Sequence, residues 1–305
     1  MDRLQAMRIF VQVVESDGFA PAGKILHMSS PSVTRAVAQL ESSIGTRLLV
    51  RTTRSMKLTP AGEGYIADCK RILADINEAE ANAAGSYSQP AGVLSVTAPV
   101  LFGRMHVLPV VLDFLRLYPN MRIRTVFVDR LTNLMEEGLD VAVRIATLPD
   151  SGLIARRIGS IRQVLCGSPT YFERFGEPRT PEDLRGHRFI GRDGLFGHSE
   201  WQFGKDGNVR VPIDASLICN TNDTAIAAAV AGFGLSRFQS YQVAPDVLAG
   251  RLKVVLADYE REPVPIHLVH AEGHMVSARI RAFMDFATRH LQRQAGAGAV
   301  GEASF

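Results

Sequence analysis

The sequence predicts a multidomain chain in which a small helix-rich head, carried on a long linker helix, precedes a larger α/β body. Three observations predict it. Residues 1–60 hold three short stretches with apolar residues at helical spacing, followed by two β-prone runs. Residues 61–84 sustain a single helical seam. From residue 93 onward, short apolar runs alternate with amphipathic stretches, which implies a mainly parallel sheet with ligands outside the carboxyl ends of its strands.

At 305 residues and 46% hydrophobic composition, the chain is long enough for two or three folded units. No apolar run reaches the roughly 18 residues of a membrane span. Asp2, Arg3, Gln5, Arg8 and Gln12 interrupt the N-terminus, unlike a signal peptide. A cytoplasmic protein with no membrane partner is expected. Cys69, Cys166 and Cys219 are odd in number and far apart, which suits neither a disulfide framework nor a zinc cluster, and buried thiols are expected. The net charge of +3 is unevenly spread: residues 1–60 carry eight basic side chains against four acidic ones, leaving about −1 for the rest. A basic head on a near-neutral body fits one small module that meets phosphate.

In the head, Leu4, Met7, Phe10, Val11 and Val14 form the apolar stripe of a first helix, ended by Gly18. A short helix follows at 21–26, with Pro21 in its first turn. After a tight turn at 27–29, Ser29 or Ser30 caps a third helix. Its buried stripe is Val33, Val37, Leu40 and Ile44, and Gly45 stops it. Such a helix turns Ser32, Thr34, Arg35, Ala38 and Gln39 outward, beside Ser30 and Pro31 of its first turn. Arg bonds two guanine acceptors, Gln pairs with adenine, and Ala or a Thr methyl lies against thymine, so this is the expected major-groove surface. A merely solvated polar face is the alternative. Residues 46–59 read as two strands around a polar turn, a wing whose tip carries Arg51, Arg54 and Lys57 within reach of phosphates or a minor groove. A solvated hairpin is the bland reading.

Thr59, Pro60 and Glu63 open the long helix with something close to a capping box. Tyr65, Cys69, Ile72, Ile76, Ala79 and Ala83 follow at spacings of 4, 3, 4, 3 and 4, the seam of a coiled coil. Pairing with a second copy is the natural burial for it; packing on its own chain is the alternative. Residues 85–92 read as a hinge. In the body, strands are expected at 93–98, 121–128 and 139–145, with helices at 104–118 and 131–137. The alternation continues through 161–166, 170–175, 189–190, 217–220, 224–231, 235–238, 252–256 and 266–270 to a last helix at 277–291. Residues 293–305 have no stripe to bury and are expected as a disordered tail.

The run 28–37 (MSSPSVTRAV) with Leu40-Glu41, then 44–51 (IGTRLLVR) and 58–62 (LTPAG), resembles the LysR-type transcriptional regulators, as do 139–144 (LDVAVR), 164–171 (VLCGSPTY), 231–235 (AGFGL) and 281–286 (RAFMDF). The resemblance covers nearly the whole chain. It implies a winged helix-turn-helix in 1–60, a linker and dimerisation helix with hinge in 61–90, and a two-lobed effector domain in 91–292, similar to the type 2 periplasmic binding fold. Lobe I would be 91–164 with 266–292, and lobe II 165–265. It further implies double-stranded promoter DNA, a homodimer or homotetramer and a small-molecule effector, with RNA polymerase a further candidate partner. The interlobe cleft would be lined by Thr97, Ala98, Pro99, Val100, Arg144, Asn220, Thr221, Asn222 and Arg237. Free amides near Pro99 and Thr224, with an arginine close by, would favour an anionic effector. Pro21 and Gly23 stand where the family usually has alanines, Leu49 where Phe is common and Thr34 where Ser is usual.

An enzyme is the rival from another class. Gly197-His198-Ser199-Glu200-Trp201 misses a nucleophile elbow because Trp201 replaces the second glycine, and Gly232-Phe233-Gly234 lacks the third glycine of a dinucleotide loop. His267, His270 and His274 lack metal-site spacing, so no metal, cofactor or catalytic residue is expected. A periplasmic solute-binding protein would share the two lobes but not the basic helical head.

Overall fold

A computed structural model describes residues 2–51, 56–83, 90–148, 152–192, 199–271 and 277–296. The chain divides into two units, Met1–Gly92 and Val93–Phe305. In the first, α1 (Arg3–Glu15), α2 (Phe19–Ile25) and α3 (Ser30–Ile44) precede an antiparallel pair, β1 (Leu49–Arg51) and β2 (Met56–Leu58), and the helix α4 (Pro60–Ala83). Phe10 and Val13 of α1, Ala22 of α2, and Val33, Ala36, Val37 and Leu40 of α3 share one core with almost no exposed surface. Gly23 belongs to this packing. A Cβ there would lie 2.7 Å from the Met28 carbonyl oxygen, so the lost helix propensity comes with a close approach between helix and turn.

α4 closes the same core. Cys69 is fully buried in it, the Tyr65 ring lies 5.9 Å from that of Phe10, and Ile72 packs alongside. Over Tyr65, Cys69 and Ile72 the seam expected to face a second copy is therefore spent on the chain's own α1, which offers an apolar face and a 2.7 Å ion pair from Glu15 to Lys70. Ile76 continues the line half-buried; the side chains of Ala79 and Ala83 lie outside the described residues.

In the second unit, β3 (Gly92–Ala98) leads into α5 (Val100–Phe102), a π-helical turn (Gly103–Val107) and α6 (Leu108–Leu117). Then come β4 (Met121–Phe127), β5 (Val141–Ile145), β6 (Leu153–Ile161), β7 (Gln163–Gly167), α7 (Pro169–Phe175), β8 (Phe189–Arg192), β9 (Ser199–Phe203), β10 (Val209–Ile213) and β11 (Ala215–Cys219). The unit ends with α8 (Asn222–Val230), β12 (Ser236–Gln239), α9 (Ser240–Leu248), β13 (Lys253–Val255), β14 (Val264–Ala271) and α10 (Ala278–Gly296). One lobe is built on a five-stranded sheet of order β4-β3-β5-β14-β6, the other on the sheet β12-β7-β13, the pair β11-β8 and the hairpin β9-β10.

Three expectations fail here, in whole or in part. The five-stranded sheet is mixed rather than mainly parallel, because β14 returns from late in the chain and runs antiparallel to both β5 and β6. The segment 131–137 forms turns instead of a helix. Asn133 Oδ1 accepts from the Met135 amide at 3.2 Å and Glu137 accepts from the Asn133 amide at 3.1 Å, a cap that starts a turn only at 133, and Gly138 at φ +62° ends it after one turn. Leu131 and Met135, which mimicked a helical stripe, are 83% and 81% exposed. α10 runs through Gly296, so the first part of the expected tail is helical; 297–305 lie outside the described residues. All three cysteines are free and buried, and burial raises the thiols of Cys69 to about 11 and Cys166 to about 12.

The π turn sits against β4 with no room to spare. A Cβ on Gly103 would come within 2.6 Å of three Phe127 ring atoms. Gly103→Ala should therefore destabilise the chain by about 1–3 kcal/mol through overpacking, read as a lower midpoint in denaturant unfolding; an unchanged midpoint would mean that Phe127 moves aside freely.

Candidate nucleic-acid interface and interlobe site

α3 is fixed at both ends before its surface matters. The Ser29 hydroxyl accepts from the Ser32 amide at 3.4 Å, and Gly45 ends the helix at φ +79°. With Val33, Ala36, Val37 and Leu40 buried, Ser30, Pro31, Arg35, Ala38 and Gln39 are exposed and Ser32 and Thr34 half-exposed on the opposite side. Arg35 makes one long contact, 3.5 Å to the Ser32 hydroxyl, so most of its donors point to solvent. The structure thus gathers all seven expected positions on one face.

Side chains stitch the wing to this helix and to the start of α4. Glu41 Oε1 accepts from the amides of Leu48 at 2.8 Å and Leu49 at 3.0 Å, and the Thr59 hydroxyl donates to the Arg47 carbonyl at 2.7 Å. Lys57 is exposed on β2. Arg51 lies on β1 with its side chain outside the described residues, as is the whole of Arg54.

In the second unit, the two lobes are bridged at one carboxylate. Asp129, just past β4, accepts from the Val100 amide at 3.0 Å through one oxygen and from Asn222 Nδ2 at 3.1 Å through the other. Asn222 is buried at the start of α8 and takes a 2.6 Å bond from Arg192 on its own oxygen. Beside this bridge, the Tyr241 ring of α9 meets Phe102 edge-on at 5.3 Å. Burial raises the Tyr241 phenol, keeping it protonated.

The amides expected to be free are not: Val100 donates to Asp129, and Thr224 to the Thr221 hydroxyl at 3.3 Å. Thr97 is buried and donates to the Val126 carbonyl at 2.6 Å, with Ala98 buried next to it; Pro99 is half-exposed and Val100 exposed. Arg144 is bound to the Thr132 carbonyl at 2.9 Å, and Asn220 and Thr221 are exposed.

Arg237 does not join this set. Strand alternation places it opposite Leu165, on the far face of β12 from Phe238, where it donates to the Gln202 carbonyl at 2.7 Å over the rings of Phe203 and Trp201. Sequence reasoning missed Asp129, Arg192 and Tyr241. A carboxylate directly after a strand and before a loop at the sheet's carboxyl edge was the available signal for the first; the other two carried none.

Ser199 opens a hairpin strand rather than a strand-to-helix turn, and His267 and His270, three apart on β14, point to opposite faces. Gly197, His198 and His274 lie outside the described residues. Among the described residues no helix is long and apolar enough to cross a membrane.

Residues 4–63 match the model of the bacterial regulatory helix-turn-helix protein, lysR family, and 88–292 match that of the LysR substrate binding domain. The chain is 34% identical over 288 residues to an HTH-type transcriptional regulator of Xanthomonas campestris, covering 93% of this chain and 84% of that one. It is 34% identical over 290 residues to an HTH-type transcriptional repressor of Pseudomonas aeruginosa, covering 94% and 91%. The solved structure of CrgA, a LysR-type transcriptional regulator from Neisseria meningitidis, aligns with a TM-score of 0.61 at 30% identity over 94% of this chain and 98% of that one.

Removing the Glu41 acceptor would leave two partly buried amides without a partner. Glu41→Ala should cost about 1–3 kcal/mol while Glu41→Gln, which keeps a carbonyl oxygen, costs less; equal denaturant midpoints for the two variants would remove the carboxylate from this role.

Proposed function

Because the chain belongs to the LysR family of transcriptional regulators, we propose that it acts in the cytoplasm on promoter DNA as a homodimer or homotetramer, answering to a small anionic effector between the lobes of its second unit. It is a regulator and not an enzyme. The observation that carries the DNA reading is the outward face of α3, where Arg35 and Gln39 stand exposed beside the small Ala38 and Thr34 on a helix whose other side is locked. Lys57 on the wing, with Arg51 and Arg54, supplies phosphate contacts. Paired heads then read half-sites about one helical turn apart. Since Tyr65, Cys69 and Ile72 are used within the chain, the pairing surface on α4 is its distal half, from Ile76 toward Ala79 and Ala83.

The anionic effector is supported by a pair of donors, the Val100 amide and Asn222 Nδ2, that already hold one carboxylate between them. An effector carboxylate takes over these donors from Asp129 and so changes how the lobes meet. Thr97, Ala98 and Pro99 form the wall beneath, Thr221 and Asn220 the rim, and Arg144 supports the loop after Asp129. RNA polymerase is a further partner of the DNA-bound assembly.

Binding selections from random duplexes test the first part. Arg35→Ala should lose about 1–3 kcal/mol and relax preference at one base pair, whereas Lys57→Ala should weaken all sequences alike and lower the salt slope by about 1. Unaltered base preference in the arginine variant would sink the assignment of α3. For the effector, thermal shift across a panel of small carboxylates should find a ligand whose stabilisation Asn222→Ala abolishes; a ligand indifferent to that change binds elsewhere.

A further inference from the structure

Both crossovers leave the second lobe at one place. Arg162, between β6 and β7, is held by Glu260, between β13 and β14, through two parallel 2.8 Å bonds. Against this pair lies a notch of about 10 Å³, enough for one water-sized group, lined by Gln163, Phe203, Arg237, Leu256, Glu260 and Arg261. Two arginines, Arg237 and Arg261, line it together with Glu260.

The charge at this notch does not balance. Glu260 is committed to Arg162, and among the described residues no carboxylate comes within ion-pair distance of Arg237 or Arg261. Arg237 is half-buried, with one bond to the Gln202 carbonyl and ring faces 4.2 and 5.1 Å from its guanidinium carbon. Two rings and one carbonyl recover only part of the hydration that a guanidinium gives up on burial. Burial, and then the neighbouring Arg261, lowers Arg237 to about 10, so it still carries its charge at neutral pH beside a second cation.

We propose that this notch is a second anion site, distinct from the interlobe site, in which Arg237 and Arg261 hold one oxygen of a small carboxylate against the Arg162–Glu260 pair. At about 10 Å³ the notch matches one water-sized group, so the rest of the anion lies outside it. An anion here borders both crossovers and competes with Glu260 for positive charge, which couples its occupancy to the connection between the lobes.

The test is a thermal-shift titration of the full chain with sodium acetate, from about 1 to about 100 mM, against sodium chloride at matched ionic strength. A saturable rise of about 2–4 °C is expected in the wild type. It should vanish in Arg237→Met, which keeps apolar contact with the two rings, and in Arg261→Gln, an exposed position where folding is not at risk. It should persist in Asn222→Ala, which removes the bond to Asp129 and the acceptor of Arg192 but touches no residue lining the notch. A flat wild-type response, an equal rise in Arg261→Gln, or a rise lost only in Asn222→Ala would each overturn the proposal, the last by placing the acetate between the lobes.

Discussion

A helix can present polar side chains in a defined direction only if its opposite side is immobilised, and Phe10 is the residue on which that condition turns. Its ring is fully buried in the core that α1, α2, α3 and α4 share, 5.9 Å from the ring of Tyr65 on α4. The outward face of α3 and the course of α4 are in this sense two consequences of the same packing. The polar stitches at Glu41 and Thr59 extend that order to the wing, which is too short to hold itself: a two-stranded ribbon is marginal on its own.

The second unit depends on polar contacts instead. Its lobes share an apolar core, but the bonds that mark how they meet are those of Asp129 with Val100 and Asn222. Apolar contact tolerates small slides, whereas a carboxylate with one donor on each oxygen favours a particular geometry. The carboxylate that carries these bonds is itself exposed to solvent, so water can replace either donor.

Much of the head was legible because helix periodicity, capping residues and glycine stops all point the same way there. The body was less so, for reasons that differ from place to place. The apolar spacing of Leu131, Leu134 and Met135 imitates a helix, but Asn133 caps a turn inside the run and Gly138 closes it at once. α9 carries Pro245 in its interior, which argues against a helix locally and is overruled by packing of Tyr241 and Val243. The hairpin β9-β10 alternates in sequence, with Trp201, Phe203, Val211 and Ile213 buried on one face, a period-2 signal too short on each strand to stand out. Of the candidate site residues, those on α3 followed from one buried stripe. Arg237 was misplaced because its side of the strand depends on register, and a one-residue difference sends a side chain to the opposite face. The seam on α4 was ambiguous in principle: a 4-3 repeat says that a ridge will be covered, not by which chain.

The fork between Arg162 and Glu260 has a mechanical consequence. Two separate tethers would let the lobes swing, twist and shear. Lashed side by side, they are held at one spacing, so neither can slide along the other without breaking the fork.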